Sequence, residues 1–418
     1  MHWEYWAYAR WSGFNEHFDR HHSPNHLPTL RKQGFRIMAR IIVSGLMVQY
    51  PLGGLNQWTL AWLVGLQQLG HEVYFVEKSG TWPLACYDVS KKEMSDDCSY
   101  GIGVLDGLLR RFGLQAHWCF VDSNRSYRGM TVGQIRSLFE SADLFLDLEG
   151  FDWLEEAATV PLRVFVDAEP GWCQIKMEMD RRRAKEWIGH HRYYTVGRNV
   201  GTPLSSAPTA GKCWGYLYPP ALLDSYRFEP PQRDAPFTTV MNWKSLKGLE
   251  FDGQTYGQKD MEFPKFIQLP QLTKARMEVA VSGPDAPKQQ IREYGWNVVS
   301  ADDSAITVDS YRNYILRSRG EFTVAKNVFV ATNSGWIGDR EAYYMATGRP
   351  VVLQDTGFGA HFPVGRGVFG VRTVEEAACA IDSINSDFDN HSKAAHELAN
   401  EFFSARKVLA RFLGELGL

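Results

Sequence analysis

The hydrophobic pattern becomes regular at residue 40. A short apolar run of Ile41, Ile42 and Val43 precedes a turn region of Tyr50, Pro51, Leu52, Gly53 and Gly54, after which Trp58, Trp62, Leu66 and Leu69 recur on one helical face. Asn56 is placed to cap this helix, and Gly70 to end it as the first residue beyond its C-terminus. A second apolar strand follows over 71–77. Strand, helix and strand make a βαβ unit, whose parallel strands require a right-handed crossover. Further apolar runs at 118–121, 144–148, 162–166 and 193–196 leave room for helices between them, so the first half reads as an open α/β layer.

The pattern breaks between 197 and 236, where Pro203, Pro208, Pro219, Pro220, Pro230, Pro231 and Pro236 remove backbone donors and forbid long helices. The chain therefore divides into a first α/β domain over 38–215, a proline-rich linker over 216–236 and a second α/β domain over 237–390. Strand-like runs in the second half fall at 237–243, 277–282, 327–331, 351–353 and 367–371. Residues 391–418 read as helical, with Leu398, Phe402, Val408, Leu409, Phe412, Leu413 and Leu416 as apolar faces. Two similar halves joined by a hinge predict a ligand-binding cleft between them.

Composition narrows the class. Of 418 residues, 44% are hydrophobic and 22% charged, which excludes wholesale disorder. The longest apolar runs, 41–48 and 60–69, are interrupted by Gly and Gln, so no membrane span is expected. The net charge of −3, from 45 basic against 48 acidic residues, supplies no general field for nucleic acid, and no specific nucleic-acid binding is expected. Cys86, Cys98, Cys119, Cys173, Cys213 and Cys379 are scattered without a CxxC pair, which argues against zinc and redox motifs and suits the cytoplasm. Residues 1–37 carry five of the twelve histidines and three tryptophans but no apolar secretory core. His17, His21, His22 and His26 have helical metal-ligand spacings that Pro24 interrupts, so 1–37 is read as an unstructured extension ahead of a natural start near Met38.

The segment AKNVFVATNSGWIGDREAYYMATGRPVVLQDTGFG, 325–359, is the richest in chemistry. It reads as a strand over 328–332, a loop containing Ser334, Gly335 and Gly338, and a helix capped by Asp339 that stops at Gly348 before another strand. A helix entered from such a loop at the end of a parallel strand aims its free N–H groups into the crevice, where anions bind. Arg340 adds a planar bidentate donor suited to phosphate, although an ordinary salt bridge would explain it as well. Gln354, Asp355, Thr356 and Gly357 form a second polar loop at the same edge. In the first half, Asp147 with Glu149 and Asp167 with Glu169 stand two apart at strand ends, so each pair can face one site. They are candidates for a general base or an acceptor clamp, with satisfied strand ends and a carboxylate-held divalent metal as the competing readings. Arg181, Arg182 and Arg183 read as a solvated helix face, with acceptor phosphate recognition as the alternative. Trp172, Trp243 and Trp336 follow or end strands where their rings can stack on sugar or base.

The run EAYYMATGRPVVLQDTGFG resembles the donor-binding segment of GT-B glycosyltransferases, and Gly53, Gly54 followed by LQQLGHEVYFVE resembles the N-terminal segment of the same superfamily. DDCSYG, SRGEFTVAKNV and GRPVVLQDTGF are similar to bacterial CgeB-like glycosyltransferases, and the likeness covers about 38–415. The resemblance implies an α/β fold of two Rossmann-like domains facing across a cleft, with the C-terminal helix crossing back to the first. It implies a metal-independent transferase without cofactor, which moves a sugar from a nucleotide-diphosphate sugar to a glycan, lipid or small-molecule acceptor. The donor-side candidates are Asn242, Lys244, Lys259, Glu321, Lys326, Asn327, Ser334, Gly335, Trp336, Arg340, Glu341, Asp355 and Thr356. Asp167 and Glu169 are the candidate base or clamp, and Gly53, Gly54 and Asn56 form the acceptor loop. Two glutamates expected before the helix-ending glycine are replaced by Gly335 and Tyr343, which leaves ribose and sugar contacts to Glu341 or Asp355. A sugar-nucleotide 2-epimerase of this fold and a non-catalytic sugar- or nucleotide-binding protein are the alternatives. A dinucleotide oxidoreductase is disfavoured, because the Gly53, Gly54 loop does not match GxGxxG.

Overall fold

The computed structural model describes residues 38–79, 84–148, 153–185, 189–245 and 247–418. Glu149 and the histidines before Met38 lie outside the described residues, as do the expectations placed on them. The strands of the first half are β1 (Arg40–Ser44), β2 (Glu72–Lys78), β3 (Cys86–Asp88), β4 (Glu93–Ser95), β5 (Trp118–Val121), β6 (Tyr127–Arg128), β7 (Leu144–Asp147), β8 (Leu162–Asp167), β9 (Arg192–Thr195) and β10 (Trp214–Tyr216). All except the β3–β4 hairpin join one sheet of order β10-β9-β8-β7-β1-β2-β5-β6, parallel but for the short β6. The central strands are continuous apolar runs because helices cover both faces of a parallel sheet.

The second half contributes β11 (Phe237–Asn242), a small hairpin of β12 (Leu249–Phe251) and β13 (Gln254–Tyr256), and then β14 (Met277–Ser282), β15 (Asn297–Ser300), β16 (Gly320–Thr323), β17 (Val351–Gln354) and β18 (Val368–Val371). Apart from the hairpin they form a fully parallel sheet of order β15-β14-β11-β16-β17-β18. Chain direction across each sheet reverses beside its first strand, at β1 and at β11. A crevice opens at such a switch point above the carboxyl ends of the strands.

The C-terminal segment returns to the first half. It is two helices, Phe388–Phe402 and Ala405–Leu416, broken where Ala221 N–H donates to Phe403 O at 2.8 Å and Ala405 N–H donates to Ala221 O at 3.0 Å. The last helix packs on the helix Gly53–Gln68, with the Trp62 and Phe412 rings edge to face at 5.5 Å, and Tyr194 Oη donates to Glu415 at 3.2 Å. Gly53–Gln68 is therefore covered on nearly all sides, and even its polar residues Asn56, Gln57 and Thr59 are buried.

Two local expectations are corrected. The Gly53–Gln68 helix begins three residues before Asn56, so Asn56 sits inside its first turn and caps nothing. Residues Asn327–Ala331 form a short helix rather than a strand, and the strand is β16, with the buried Glu321 inside it. Val328 and Phe329 bury their apolar face against Trp172 and Ile175, and a run that short carries no periodicity to separate helix from strand. Among the described residues no helix is long and apolar enough to cross a membrane. Cys86 and Cys98, twelve residues apart, form a disulfide that the absence of a CxxC motif did not suggest.

Candidate functional site

A cavity of about 670 Å³ opens between the two sheets, bounded by the carboxyl ends of their strands. The first half supplies Leu52, Gly54 and Leu55 beyond β1, Ala168 and Glu169 beyond β8, and Val196 beyond β9. The second half supplies Asn242 at the end of β11, Ser282 at the end of β14, Lys326 beyond β16, and the start of the helix Asp339–Ala346.

Four basic residues line it, Arg340, Lys326, Lys259 and Lys288. Arg340 lines the cavity but is held by its own domain. Its Nε lies 2.5 Å from Glu321 Oε1, one Nη lies 2.7 Å from both Glu341 Oε1 and Thr323 Oγ1, and the other donates to Val240 O at 2.8 Å. Glu321 and Glu341 are fully buried and do not reach the cavity, so they serve as anchors for Arg340 rather than as sugar ligands. Burial pushes the Glu321 carboxyl up to about 8 against the opposing pull of Arg340. Lys326 Nζ lies 2.5 Å from Glu169 Oε1, an ion pair that spans the cleft.

Lys259 differs from both. It is 7% exposed and lines the cavity, yet its ammonium makes no hydrogen bond or ion pair among the described residues. Desolvation first, then the neighbouring Arg340, drive it well below the ordinary lysine value, with Glu341 and Glu321 pulling the other way. The turn that carries it is over-determined. Asn327 accepts from Gly257 N–H at 2.9 Å and donates to the buried Glu262 at 2.7 Å, and Gln354 donates to the other Glu262 oxygen at 2.5 Å. Asn327 thus positions Lys259 rather than touching a ligand, and Glu262, which no motif marks, is the hub of that support. A buried ammonium with a rigid seat and no partner among the described residues is costly, and an anion in the cavity would offset that cost.

Other expected residues are placed as follows. Asn242 lines the cavity and accepts from Lys244 N–H at 3.2 Å, whereas the Lys244 side chain points away, 3.9 Å from Asp260. Asp167 and Glu169 do not share a site. β8 ends at Asp167, so the strand alternation stops before Glu169. Asp167 turns inward to accept from Gln174, Thr195 and the Glu169 N–H, each at 2.8 Å, and burial pushes its carboxyl up to about 6. Only Glu169 reaches the cavity, with Oε2 unpartnered.

Ser334, Gly335, Asp355 and Thr356 do not line the cavity. They build a joint between the halves, where Asn199 N–H donates to Ser334 O at 2.9 Å, Gly335 N–H to Thr356 O at 2.7 Å, and the Thr356 hydroxyl to Trp336 O at 2.6 Å. Gly335 has φ of 74°, and a Cβ there would lie 2.8 Å from Asn199 Cγ, so a side chain cannot replace it. Asp355 pairs with Arg372 at 2.8 Å. Trp172 and Trp243 are buried away from the cavity, Trp243 against Phe263, while Trp336 lines it. Trp58, which the helical pattern assigned to core, lines it too, as do Tyr87, Lys288, Asp302 and Tyr311, for which the sequence offers no motif. Gly54 forms part of the first-half wall, whereas Gly53 and Asn56 do not. Among the described residues no group of three or more His, Cys, Asp or Glu side chains is placed to hold a metal ion.

No family model and no curated protein matches the chain, so the CgeB-like likeness has no support at the level of sequence. Solved structures do match. An alpha-glucosyltransferase in complex with UDP and a 13-mer DNA containing a central A:G mismatch is similar at TM-score 0.56 and 9% identity, over 91% of this chain and 100% of that one. The alpha-glucosyltransferase in complex with UDP-glucose and DNA containing an abasic site is similar at TM-score 0.53 and 10% identity, over 90% and 98%. A structure described as a UDP-N-acetylglucosamine 2-epimerase from Listeria monocytogenes is similar at TM-score 0.47 and 11% identity, over 90% and 96%. At such identities the likeness concerns architecture. The chain has the GT-B fold, two Rossmann-like domains of mixed α/β structure facing across a cleft.

Proposed function

We propose that the protein is a glycosyltransferase that moves a sugar from a nucleotide-diphosphate sugar to an acceptor without a metal ion. The observation that carries this reading is Lys259, a buried ammonium without a partner at the switch point of the second sheet. A diphosphate brings a negative partner for Lys259, and Lys326 and Arg340 stand on the same cavity to share it. The acceptor oxygen attacks the anomeric carbon as the bond to the diphosphate breaks. Fixed cations then stabilise the leaving group, the role that a metal plays in other transferases.

Glu169 faces this position from the first domain. As the carboxylate on the first-domain wall of the cavity, it is the one to take the acceptor proton or to hold the acceptor hydroxyl. Trp58 and Trp336 offer flat apolar faces to a sugar or base. The UDP and UDP-glucose of the similar structures belong to those proteins, and they recommend uridine nucleotides as the first to try here. The acceptor is a glycan, a lipid or a small molecule. With a net charge of −3, nucleic acid is the least favoured acceptor. A thermal-shift panel of UDP, GDP, dTDP and their sugars tests the reading, with Lys259→Met in parallel. Stabilisation of the wild type that is lost in Lys259→Met supports the site, and no stabilisation by any nucleotide overturns it.

A further inference from the structure

The hairpin β3–β4 lies outside both main sheets, yet it contributes Tyr87 to the cavity wall. A hairpin with strands of three residues has no core of its own and needs outside support. Three supports are present. Tyr87 N–H donates to Gln49 O at 2.8 Å, in a loop whose Met47, Val48 and Gln49 N–H groups all donate to the buried Glu77 carboxylate at 2.7 to 2.9 Å. The Cys86–Cys98 disulfide joins the first residue of the hairpin to the residue that starts the helix Ser99–Arg110. That helix is pressed on the same loop, since a Cβ on Gly101 would lie 2.0 Å from Val48 O. Finally, Lys92 at the hairpin turn reaches Asp302 of the second half at 3.3 Å, and Asp302 lines the cavity beside Tyr87. The hairpin therefore forms part of the cavity wall on the first-domain side, tied by Lys92 to the second half.

Resting on the glycosyl-transfer reading, we infer that this hairpin is the acceptor-side wall of the site, with Tyr87 facing the sugar to be transferred, and that the Cys86–Cys98 disulfide holds the wall closed against water. A dithiol reduces the bond, two electrons passing to give two cysteine thiols and the reagent's own disulfide. The freed hairpin loses its covalent tie to the helix Ser99–Arg110 and is held by packing, its backbone contact and an exposed ion pair, which is weak. Water then reaches the anomeric carbon, its oxygen bonding there as the bond to the diphosphate breaks, its proton passing to solvent.

The test uses the full chain as wild type, dithiothreitol-treated wild type, Cys86→Ser/Cys98→Ser and Tyr87→Ala. UDP, GDP and dTDP are titrated by calorimetry, and their glucose conjugates are followed for nucleotide release with water as the only acceptor. Affinity for the nucleotide is expected to stay within about twofold in all four, because its cations sit on the other domain. Nucleotide release is expected to rise at least about fivefold on reduction, in the double variant and in Tyr87→Ala. Should the double variant fail to fold, the treated wild type and Tyr87→Ala decide the matter. Release that is unchanged, including none in any protein, overturns the inference, as does nucleotide affinity falling together with it. Absence of nucleotide binding by the wild type removes the donor reading and this inference with it.

Discussion

Lys326 Nζ lies 2.5 Å from Glu169 Oε1, so the exit of β16 in one domain is paired with the exit of β8 in the other. Each partner has a second task in the proposed reaction, the lysine toward diphosphate and the carboxylate toward the acceptor. A bound donor must therefore compete for Lys326. In Glu169→Gln the competition is gone, and nucleotide affinity is expected to rise by about threefold, the modest scale of a partly exposed pair. Turnover in the presence of acceptor is expected to fall by about a hundredfold, the scale of a lost general base. Calorimetry and nucleotide release measure the two separately, and an affinity that falls with turnover would mean that the carboxylate holds the donor.

Asp167 stands two residues from Glu169 and behaves differently. It is buried with three donors on its carboxylate, so Asp167→Ala leaves Gln174 and Thr195 unpaired. The expected loss of stability is about 2 to 4 kcal/mol, with nucleotide affinity unchanged. Denaturant titration and calorimetry check this pair of outcomes.

Most strands of both sheets were legible because parallel strands buried on two faces are continuous apolar runs, as in Ile41 to Val43 and Val351 to Leu353. The short edge strands β6, β10 and β15 were not, and neither was β16, where Glu321 sits inside the strand and pairs with Arg340, nineteen residues away in sequence. Of the residues named from the sequence, Lys259, Lys326 and Glu169 line the cavity. Ser334, Gly335 and Thr356 instead serve in a joint against the Asn199 segment, and no pattern within 325–359 announces that partner. Tyr87 and the Cys86–Cys98 bond were missed for the same reason, since each acquires its meaning from packing against a distant loop.

Glu321 makes stability depend on pH. Its carboxyl is raised from 4.5 to about 8 in the folded protein, so folding takes up a proton between those values. The stabilising contribution is complete below 4.5 and is lost as pH rises through about 8. Glu321→Gln removes this dependence. The melting temperature of the wild type relative to Glu321→Gln is expected to fall steadily from pH 5 to about 9, and a constant difference would contradict the assignment.

Lys259 works in the opposite sense. Its folded value lies well below 10.5, so neutralising the ammonium in the empty protein stabilises the fold, and stability from this group rises with pH across that window. Lys259→Met is expected to stabilise the empty protein by about 1 to 3 kcal/mol. Diphosphate binding favours the charged form and raises the lysine back toward its ordinary value. Calorimetry across a pH series reads this as a pH-dependent proton uptake on binding, and heats independent of buffer at every pH would show that Lys259 does not meet the ligand.

The affinity of Lys259→Met for the nucleotide that stabilises the wild type bears most directly on the site. If Lys259 is the seat of the diphosphate, its removal weakens binding by at least about 30-fold while the fold becomes more stable, the scale set by losing one partner of a buried charge pair. Affinity within about twofold of the wild type, in a protein stabilised by the substitution, would place the diphosphate elsewhere.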